Sequence, residues 1–175
     1  MSLNNTIETL VSTYLPEFIG IREHIHSHPE LSFQEYQTAA FVSAKLTEWN
    51  IEHTTGIAGT GIVALIKGQN PDSRIIALRG DMDALPILEM NEVAYKSQNA
   101  GVMHACGHDV HTTCLLGAAK ILNETKENWS GTIKLIFQPG EEKHPGGASL
   151  LIKEGVLENP KPQAIFALHV YPHLP

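Results

Sequence analysis

Apolar residues recur at helical spacing in two stretches near the N-terminus. Between residues 6 and 28 they fall at every third or fourth position, and residues 35–49 repeat this pattern. Such spacing places the apolar side chains on one face of an α-helix, so both stretches are predicted to be helices. Pro16 lies within the first stretch. Because proline removes a backbone donor, we expect a kink or a division into two helices there.

Short apolar runs follow, and these predict β-strands. Four such runs lie at residues 61–66, 74–78, 132–137 and 164–170. A linker rich in glycine, asparagine and proline separates the first two runs, which is typical of a hairpin. Helical patterns at residues 112–122 and about 148–154 lie between the later strands. Strands that alternate with helices predict a layered α/β fold around a mixed sheet.

Side chains that commonly bind metals stand where three of the predicted strands end. Asp81 and Asp83 follow one strand, Glu141 and Glu142 follow another, and His169 lies near the end of a third. In open α/β sheets, functional sites form at the carboxyl ends of the strands. We therefore expect these three segments to meet at one edge of the sheet.

Residues 104–109 read His-Ala-Cys-Gly-His-Asp. The thiolate of Cys106 and the imidazole of His108 are both good zinc ligands. Asp109 could accept the second ring N–H of a ligating histidine. The same segment also fits a buried cysteine with a capping histidine and aspartate at the start of a helix. The motif alone leaves both interpretations open.

The side chains at the strand ends could also have structural roles instead of roles in a metal site. Glu141 and Glu142 could be a metal ligand and a neighbouring base, or a solvated acidic pair. Asp81 and Asp83 could be ligands, could orient a ligand, or could cap a turn. A single histidine at the end of a strand, such as His169, is often a core residue with satisfied hydrogen bonds. Only the combination of these groups favours a metal site.

Three histidines cluster near the end of the first predicted helix. His24 and His28 stand four residues apart, a spacing that puts them on one helical face and could suit a metal. With His26, they lie where imidazolium groups interact favourably with the helix dipole. We interpret these three residues as structural or capping residues. Cys114, inside a later predicted helix, is interpreted as a core residue.

Composition narrows the class of protein. The 175 residues are 42% hydrophobic and 18% charged, which is a globular composition of about one domain. A net charge of −7 without a basic patch argues against nucleic-acid binding. No stretch approaches about 18 consecutive apolar residues, so no membrane span is predicted. Two cysteines and no recognisable signal peptide favour a reducing compartment, most simply the cytoplasm.

Together, these motifs resemble the M20 family of metallopeptidases, in the branch of N-acyl-amino-acid amidohydrolases and hippurate hydrolases. The matching segments, in the family's order, are residues 22–31, 78–87, 101–109 with His111, 137–142, 146–148 and 168–169. The resemblance implies a three-layer αβα fold with a mixed, mostly parallel sheet, as in zinc-peptidase catalytic domains. Residues 1–175 are then expected to form the N-terminal part of that domain, without the family's lid or dimerisation domain and its C-terminal catalytic segment.

The resemblance also implies a role for each site residue. The ligands of a two-metal centre, usually zinc or manganese, correspond to Cys106, His108, Glu142 and His169. Glu141 corresponds to the general base that deprotonates a water shared by the two ions and then protonates the leaving amine. Asp81, Asp83 and Asp109 are expected to support this centre. Gly140 stands where alanine is commoner, a change that we do not expect to disturb the loop.

The implied function is metal-dependent hydrolysis of the amide bond in a small N-acyl amino acid or peptide. A dipeptidase or carboxypeptidase of the same family is the alternative among enzymes, although the Cys-x-His motif favours the amidohydrolase branch. A metal-binding fragment without catalytic competence is a second alternative, because the family draws a further histidine ligand and substrate contacts from later segments. An exposed sheet edge would also allow a homo-oligomer to form.

Overall fold

The computed structural model describes residues 2–171 of the chain. Its α-helices are α1 (Leu3–Ser27), α2 (Tyr36–Glu48), α3 (His108–Glu124) and α4 (Gly147–Lys153). Its β-strands are β1 (Glu52–Ile57), β2 (Gly61–Lys67), β3 (Ile75–Asp81), β4 (Thr132–Gln138) and β5 (Ala164–Ala167). A short 3₁₀ helix covers Lys126–Asn128.

The strands form one mixed sheet in the order β1-β2-β4-β3-β5. β1 pairs antiparallel with β2, and β2 pairs antiparallel with β4. β3 is parallel to both of its neighbours, β4 and β5. The carboxyl ends of these three strands therefore lie at the same edge of the sheet, with Asp81 opposite Gln138 in register. The predicted site residues follow these ends.

Helices cover both faces of the sheet, so the predicted three-layer arrangement is confirmed. α1, α2 and α3 pack on one face, around fully buried side chains such as Leu46, Leu116 and Phe137. α4 and the segment after it cover the other face, where Leu151 packs near Ile136. β4 is buried on both faces because it lies in the middle of the sheet, and Lys134 is buried there together with its apolar neighbours.

α1 continues through Pro16, so the expected division into two helices is wrong. Pro16 lies on the exposed side of the helix, away from the residues that face the core. The opposite side packs along α3, where Phe18 approaches Gly117. Packing of that apolar face outweighs the unfavourable helix propensity of one exposed proline.

The predicted hairpin between the second and third strands is also wrong. β2 and β3 are not adjacent, because β4 lies between them. β4 forms a six-residue antiparallel ladder with β2 and a seven-residue parallel ladder with β3, so it separates the two strands of the predicted hairpin. β1 was not predicted from the sequence, because this edge strand is mostly exposed and has no regular alternation of apolar and polar residues.

Two smaller predictions need correction. Cys114 is exposed on α3 rather than in the core, because α1 leaves this part of the helix uncovered. The last predicted strand is shorter than expected, since β5 ends at Ala167 and His169 lies beyond the sheet. Among the helices of residues 2–171, none combines the length and apolar character that a membrane span requires.

Candidate metal centre

The candidate site forms where three parallel strands end. Asp81 is the last residue of β3, Glu141 and Glu142 follow β4, and His169 follows β5. These strands are neighbours in the sheet, so segments separated by many residues in the chain meet at one edge. α3 packs against β3 and begins at His108, which brings the first turn of the helix to the same place.

His108 lies at the centre of this cluster and is only 1% exposed. Its Nδ1 lies 3.2 Å from Asp83 Oδ1. Its Nε2 lies 3.6 Å from Asp81 Oδ2 and 3.8 Å from Glu142 Oε1, which is too far for hydrogen bonds. Among residues 2–171, Nε2 has no hydrogen-bond partner. A buried ring nitrogen without a partner, close to two carboxylates, has the surroundings that a cation needs.

Cys106 and His169 form a second pair beside His108. Cys106 Sγ lies 3.4 Å from His169 Nε2, and His169 Nδ1 lies 2.7 Å from the carbonyl oxygen of Val170. Because a carbonyl only accepts, His169 Nδ1 carries the proton and Nε2 keeps a free lone pair toward the sulfur. This tautomer suits a metal ligand.

Three overlapping groups of potential donors share His108, and within each group the donor atoms lie within 4.8 Å of one another. The groups are Cys106 with His108 and His169, Asp81 with His108 and His111, and His108 with Glu141 and Glu142. Sulfur, imidazole nitrogen and carboxylate oxygen together suit zinc, and the nitrogen and oxygen donors also suit manganese. The residues of this chain therefore fit a divalent metal.

The pKa values in the cluster reflect an excess of negative charge. Burial raises the pKa of Cys106 to about 11, and a hydrogen bond to Glu142 and the charges of Glu142, Glu141 and Asp81 add to this effect. Burial alone would lower the pKa of His108, but the Asp83 hydrogen bond and the nearby carboxylates raise it. Without a metal, the cluster therefore holds protons strongly. A divalent cation would compensate the same charge.

Asp83 orients His108, as one interpretation of the sequence predicted. Burial opposes its ionisation, but hydrogen bonds from His108, from Ser32 and from the backbone N–H groups of Glu142 and Glu141 lower its pKa to about 2. Ser32 Oγ donates to Asp83 Oδ2 at 2.6 Å, and the Glu142 N–H donates to the same oxygen at 3.0 Å. The ionised Asp83 thus connects the His108 ring to the loop after β4.

Asp81 has a different set of partners. Its Oδ1 lies 2.7 Å from His111 Nδ1, and its Oδ2 lies 2.6 Å from Arg79 Nη1. The Val170 N–H donates to His111 Nε2 at 3.0 Å, so His111 carries its proton on Nδ1 and donates it to Asp81. Burial alone would raise the pKa of Asp81, but His111, His108 and Arg79 lower it. The sequence analysis assigned no role to His111, although its spacing of three residues from His108 puts both on one helical face.

Asp109 does not contact the His108 ring, and this part of the prediction is wrong. Its Oδ2 lies 2.8 Å from His26 Nδ1 and 2.8 Å from Arg22 Nε. Adjacent helical residues point in different directions, so Asp109 faces α1 while His108 faces the sheet edge. Asp109 therefore attaches the start of α3 to α1.

The three histidines at the end of α1 make structural contacts. His26 is buried between Asp109 and Glu89, with its Nε2 at 3.0 Å from Glu89 Oε1. The ring of His24 stacks on Phe41 with 4.2 Å between centroids, and His28 Nδ1 lies 2.8 Å from the carbonyl oxygen of His24. The structural interpretation of these residues agrees with these contacts.

Two glycines permit the close approach of segments around the centre. Gly107 precedes α3 with a φ of 82°, and a Cβ there would lie 2.2 Å from a methyl group of Val170. Gly140 has a φ of 53°, and a Cβ there would lie 2.4 Å from ring carbons of Phe33. Glycine at position 140 therefore leaves the space that the Phe33 ring fills, and an alanine there would require the ring to move.

Sequence reasoning also missed Ser32 and Glu35, which contact the site from the turn before α2. Their spacing matches the Ser-x-x-Glu pattern of a helix capping box, so the sequence signal would have suggested a local role. In the structure Ser32 instead donates to Asp83, and the carboxylate of Glu35 accepts from the Gly140 N–H at 2.7 Å.

Comparison with known proteins identifies the family. Residues 77–175 match the family model described as Peptidase family M20/M25/M40. This match covers more than half of the chain. The chain belongs to this family. The resemblance inferred from the motifs is therefore confirmed at the level of the M20 family.

Relatives within the family have different described activities. The M20 chain is 45% identical over 152 residues to an N-acyl-L-amino acid amidohydrolase of Geobacillus stearothermophilus, covering 87% of this chain and 41% of that protein. It is 45% identical over 154 residues to thermostable carboxypeptidase 2 of Saccharolobus solfataricus. That alignment covers 87% of this chain and 38% of that protein. The chain thus spans less than half of the length of these relatives.

A solved structure agrees with the M20 assignment and with the fold. The crystal structure of a dinuclear metal-binding M20 peptidase of Bacillus subtilis superposes with a TM-score of 0.88 at 41% sequence identity. The alignment covers 94% of this chain and 45% of that chain. The predicted α/β fold with a mixed sheet flanked by helices is therefore confirmed.

Proposed function

We propose that this M20 chain carries the metal ligands and the general base of a hydrolase that cleaves the amide bond of N-acyl amino acids. The observation that carries the proposal is the buried Nε2 of His108, which has no hydrogen-bond partner among residues 2–171 and faces a thiol and several carboxylates. The similarity to an N-acyl-L-amino acid amidohydrolase supports this choice of substrate class.

Two divalent ions, zinc or manganese, would be held by four side chains of this chain, Cys106, His108, Glu142 and His169. When bound, such ions supply positive charge that polarises a carbonyl group and lowers the pKa of a water molecule. The approach of Cys106 Sγ to His169 Nε2 at 3.4 Å supports a shared ligand position for that pair. The raised pKa of the Cys106 thiol means that a metal must displace its proton.

The remaining residues orient these donors through hydrogen bonds. Asp83 accepts from His108 Nδ1, which keeps the lone pair of Nε2 directed into the cluster. Asp81 and His111 contact the other side of the site, and Asp81 carries its negative charge there. The orientation of the ring is therefore set before any ligand binds.

Glu141 is the proposed general base. Its carboxylate accepts a proton from water as the water oxygen bonds to the amide carbon, and it returns this proton to the amine nitrogen as the C–N bond breaks. The second proton of the water leaves the new carboxyl group and is taken up by the amine, so the products near neutral pH are a carboxylate and an ammonium group. Glu141 is exposed on the loop after β4 and belongs to one donor group with His108 and Glu142. That position suits a group that must reach a bound substrate.

The test compares Glu141→Gln with Glu92→Gln in the intact protein loaded with zinc or manganese. We expect hydrolysis of N-acetyl and N-benzoyl amino acids by the wild type, with a kcat about 10²–10⁴-fold lower in Glu141→Gln at unchanged metal content. Glu92 is an exposed glutamate on a loop outside the site, so its variant should retain activity. A metal-loaded wild type that cleaves none of these substrates would refute the proposal.

The similarity to a carboxypeptidase favours one alternative, the removal of C-terminal residues from peptides. The same assay with dipeptides and N-blocked peptides distinguishes the two, because a carboxypeptidase releases free C-terminal amino acids from the peptides preferentially. Metal binding without hydrolysis of either substrate set would instead indicate a binding fragment. A cytoplasmic location and a homo-oligomeric state stay predictions.

A further inference from the structure

Glu35 is a fully buried carboxylate that the proposed chemistry does not use. Its Oε1 accepts from the N–H of Phe33 at 2.9 Å and from the N–H of Gly140 at 2.7 Å. Its Oε2 accepts from the hydroxyl of Thr60 at 2.6 Å. These three neutral donors belong to three separate segments of the chain, so one buried charge joins the turn before α2, the start of β2 and the loop after β4.

Capping of α2 does not explain why the carboxylate of Glu35 is buried here. Glu35 stands at the N-cap position of α2, but its side chain makes no capping hydrogen bond. Glu30 performs that role, because its carboxylate accepts from the N–H groups of Gln37 and Thr38. Burying a carboxylate is unfavourable unless several donors compensate it, so the position of these donors indicates what the residue holds.

The most informative donor is the N–H of Gly140, directly before Glu141 and Glu142. The carbonyl oxygen of Gly140 accepts from the Gly147 N–H at 2.8 Å. Both backbone polar groups of Gly140 therefore make hydrogen bonds, the N–H to Glu35 and the carbonyl to Gly147. Two residues later, the Glu142 N–H donates to Asp83. The backbone that carries the two glutamates is therefore held at one end by Glu35 and at the other by Asp83.

Phe33 completes this contact from the same turn. It has a φ of 65°, which is unfavourable for an aromatic residue, and its ring fills the space where Gly140 lacks a side chain. Glu35 binds the N–H of Phe33 with the same oxygen that binds Gly140. Strained backbone of this kind persists where surrounding contacts hold it, as Glu35 does here.

We propose that Glu35 is a positioning residue that sets the place of Glu141 and Glu142 through the amide of Gly140. This inference rests on the proposed function for the roles of the two glutamates. Glu35 reaches no donor group of the centre itself, so it acts through the loop. Removing its carboxylate should release the loop backbone and weaken metal binding by Glu142.

The experiment combines amide exchange with metal binding in the intact protein. Hydrogen exchange of the Gly140 amide is measured by NMR in the metal-free protein, and the Kd for zinc is measured by competition with a chelator. The variants are Glu35→Ala and Glu35→Gln. Val42→Ala, on the core-facing side of α2, serves as a control that lowers stability without touching the loop.

We expect Glu35→Ala to exchange the Gly140 amide at least about 10-fold faster and to bind zinc about 10–100-fold more weakly, the range for residues that support metal ligands. Glu35→Gln should stay within about threefold of the wild type in both readouts, because its amide oxygen can accept from Gly140 and its amide N–H can donate to Thr60. Val42→Ala should also keep its zinc affinity. If Glu35→Ala does not fold, Glu35→Asp replaces it, since the shorter side chain withdraws from Gly140.

Unchanged Gly140 exchange and zinc affinity in the alanine or aspartate variant would overturn the proposal. Equal losses in Val42→Ala would also overturn it, because global stability would then explain the effect. Failure of the proposed function is distinguishable: a wild type that binds no zinc would contradict the metal centre, while the exchange of the Gly140 amide would still test the contact with Glu35.

Discussion

At the residue scale, the carboxylates of the centre have distinct partners. Asp83 binds the His108 ring through one oxygen and the Ser32 hydroxyl and the Glu142 N–H through the other. Asp81 divides its oxygens between His111 and Arg79. Because these contacts are already made within the chain, the orientation of His108 does not depend on the metal.

Replacing Asp83 by asparagine tests this orientation. The amide removes the negative charge beside His108 Nδ1 and replaces one acceptor with a donor, so the ring loses the preference for its present tautomer. We expect zinc to bind about 10–100-fold more weakly to Asp83→Asn, measured by competition with a chelator. Asp72→Asn, in an exposed turn, should bind zinc like the wild type. Equal affinities in Asp83→Asn and the wild type would contradict this role.

The reactivity of Cys106 gives a second test at this scale. Burial, the hydrogen bond to Glu142 and nearby carboxylates raise its pKa to about 11, so the metal-free thiol at pH 8 has roughly 100-fold less thiolate than an ordinary cysteine. In a Cys114→Ser background, we expect slow alkylation by iodoacetamide that accelerates up to about pH 11. Glu142→Gln should react faster, as followed by intact mass. A midpoint below about pH 9 would refute the raised pKa.

The sequence predicted the chemical groups of the site better than their contacts. Cys106, His108 and His169 were predicted as ligands, and the structure brings their donor atoms together. Asp109 was assigned to the wrong neighbour, because the direction of a side chain at the start of a helix depends on the exact position of that start. Glu35 was missed because its three donors come from segments that no local pattern connects.

At the scale of single elements, α1 combines an unfavourable residue with favourable packing. Pro16 removes one helical hydrogen bond and lies on the exposed side of a 25-residue helix. The side facing α3 is held by packing and by polar contacts, including the bond from Lys120 Nζ to Glu17 at 2.6 Å. The helix therefore depends on α3 to stay continuous.

Replacing Pro16 by alanine should stabilise the protein. The substitution restores a backbone donor and removes a propensity penalty of about 3 kcal/mol, part of which the unfolded chain offsets by gaining freedom. We expect the free energy of unfolding to rise by about 1–2 kcal/mol in urea denaturation. Thr13→Ala, also on the exposed side of α1, should change it by less than about 0.5 kcal/mol. A lower free energy of unfolding for Pro16→Ala would indicate that the proline stabilises the folded protein.

The elements with strong apolar patterns were predicted within a few residues, and their arrangement was not. β4 was identified from its mostly apolar sequence, but the local sequence does not show which strands it pairs with. Its insertion between β2 and β3 is decided by burial of both of its faces. β1 lacked a pattern because an exposed edge strand needs no apolar face.

At the scale of the whole molecule, the pH dependence of stability should carry a contribution from His26. Its hydrogen bond to Asp109 raises its pKa most, burial opposes this, and Glu89 adds a second favourable contact. A pKa that is higher in the folded state gives stability that is complete below the unfolded value of about 6.5. This stability is lost as the pH rises through the folded value.

The measurement is urea denaturation of the metal-free protein between about pH 6 and pH 9. We expect the free energy of unfolding of the wild type to fall more over this range than that of His26→Gln, which has no proton to lose. The difference between the two curves removes the contributions of other histidines. Parallel curves would show that His26 has the same pKa in the folded and unfolded states.

The contacts that build the centre join residues that are far apart in the chain. Glu35 and Gly140 are separated by 105 positions, Cys106 and His169 by 63, and Ser32 and Asp83 by 51. Closing such long loops costs chain entropy before the contacts compensate it, so we expect these contacts to form late in folding. On the ribosome, synthesis proceeds from the N-terminus, and Cys106 therefore stays without its histidine partner until residue 169 has emerged. The growing chain can bring Cys106, His108 and His169 together only after nearly all of the described sequence has been made.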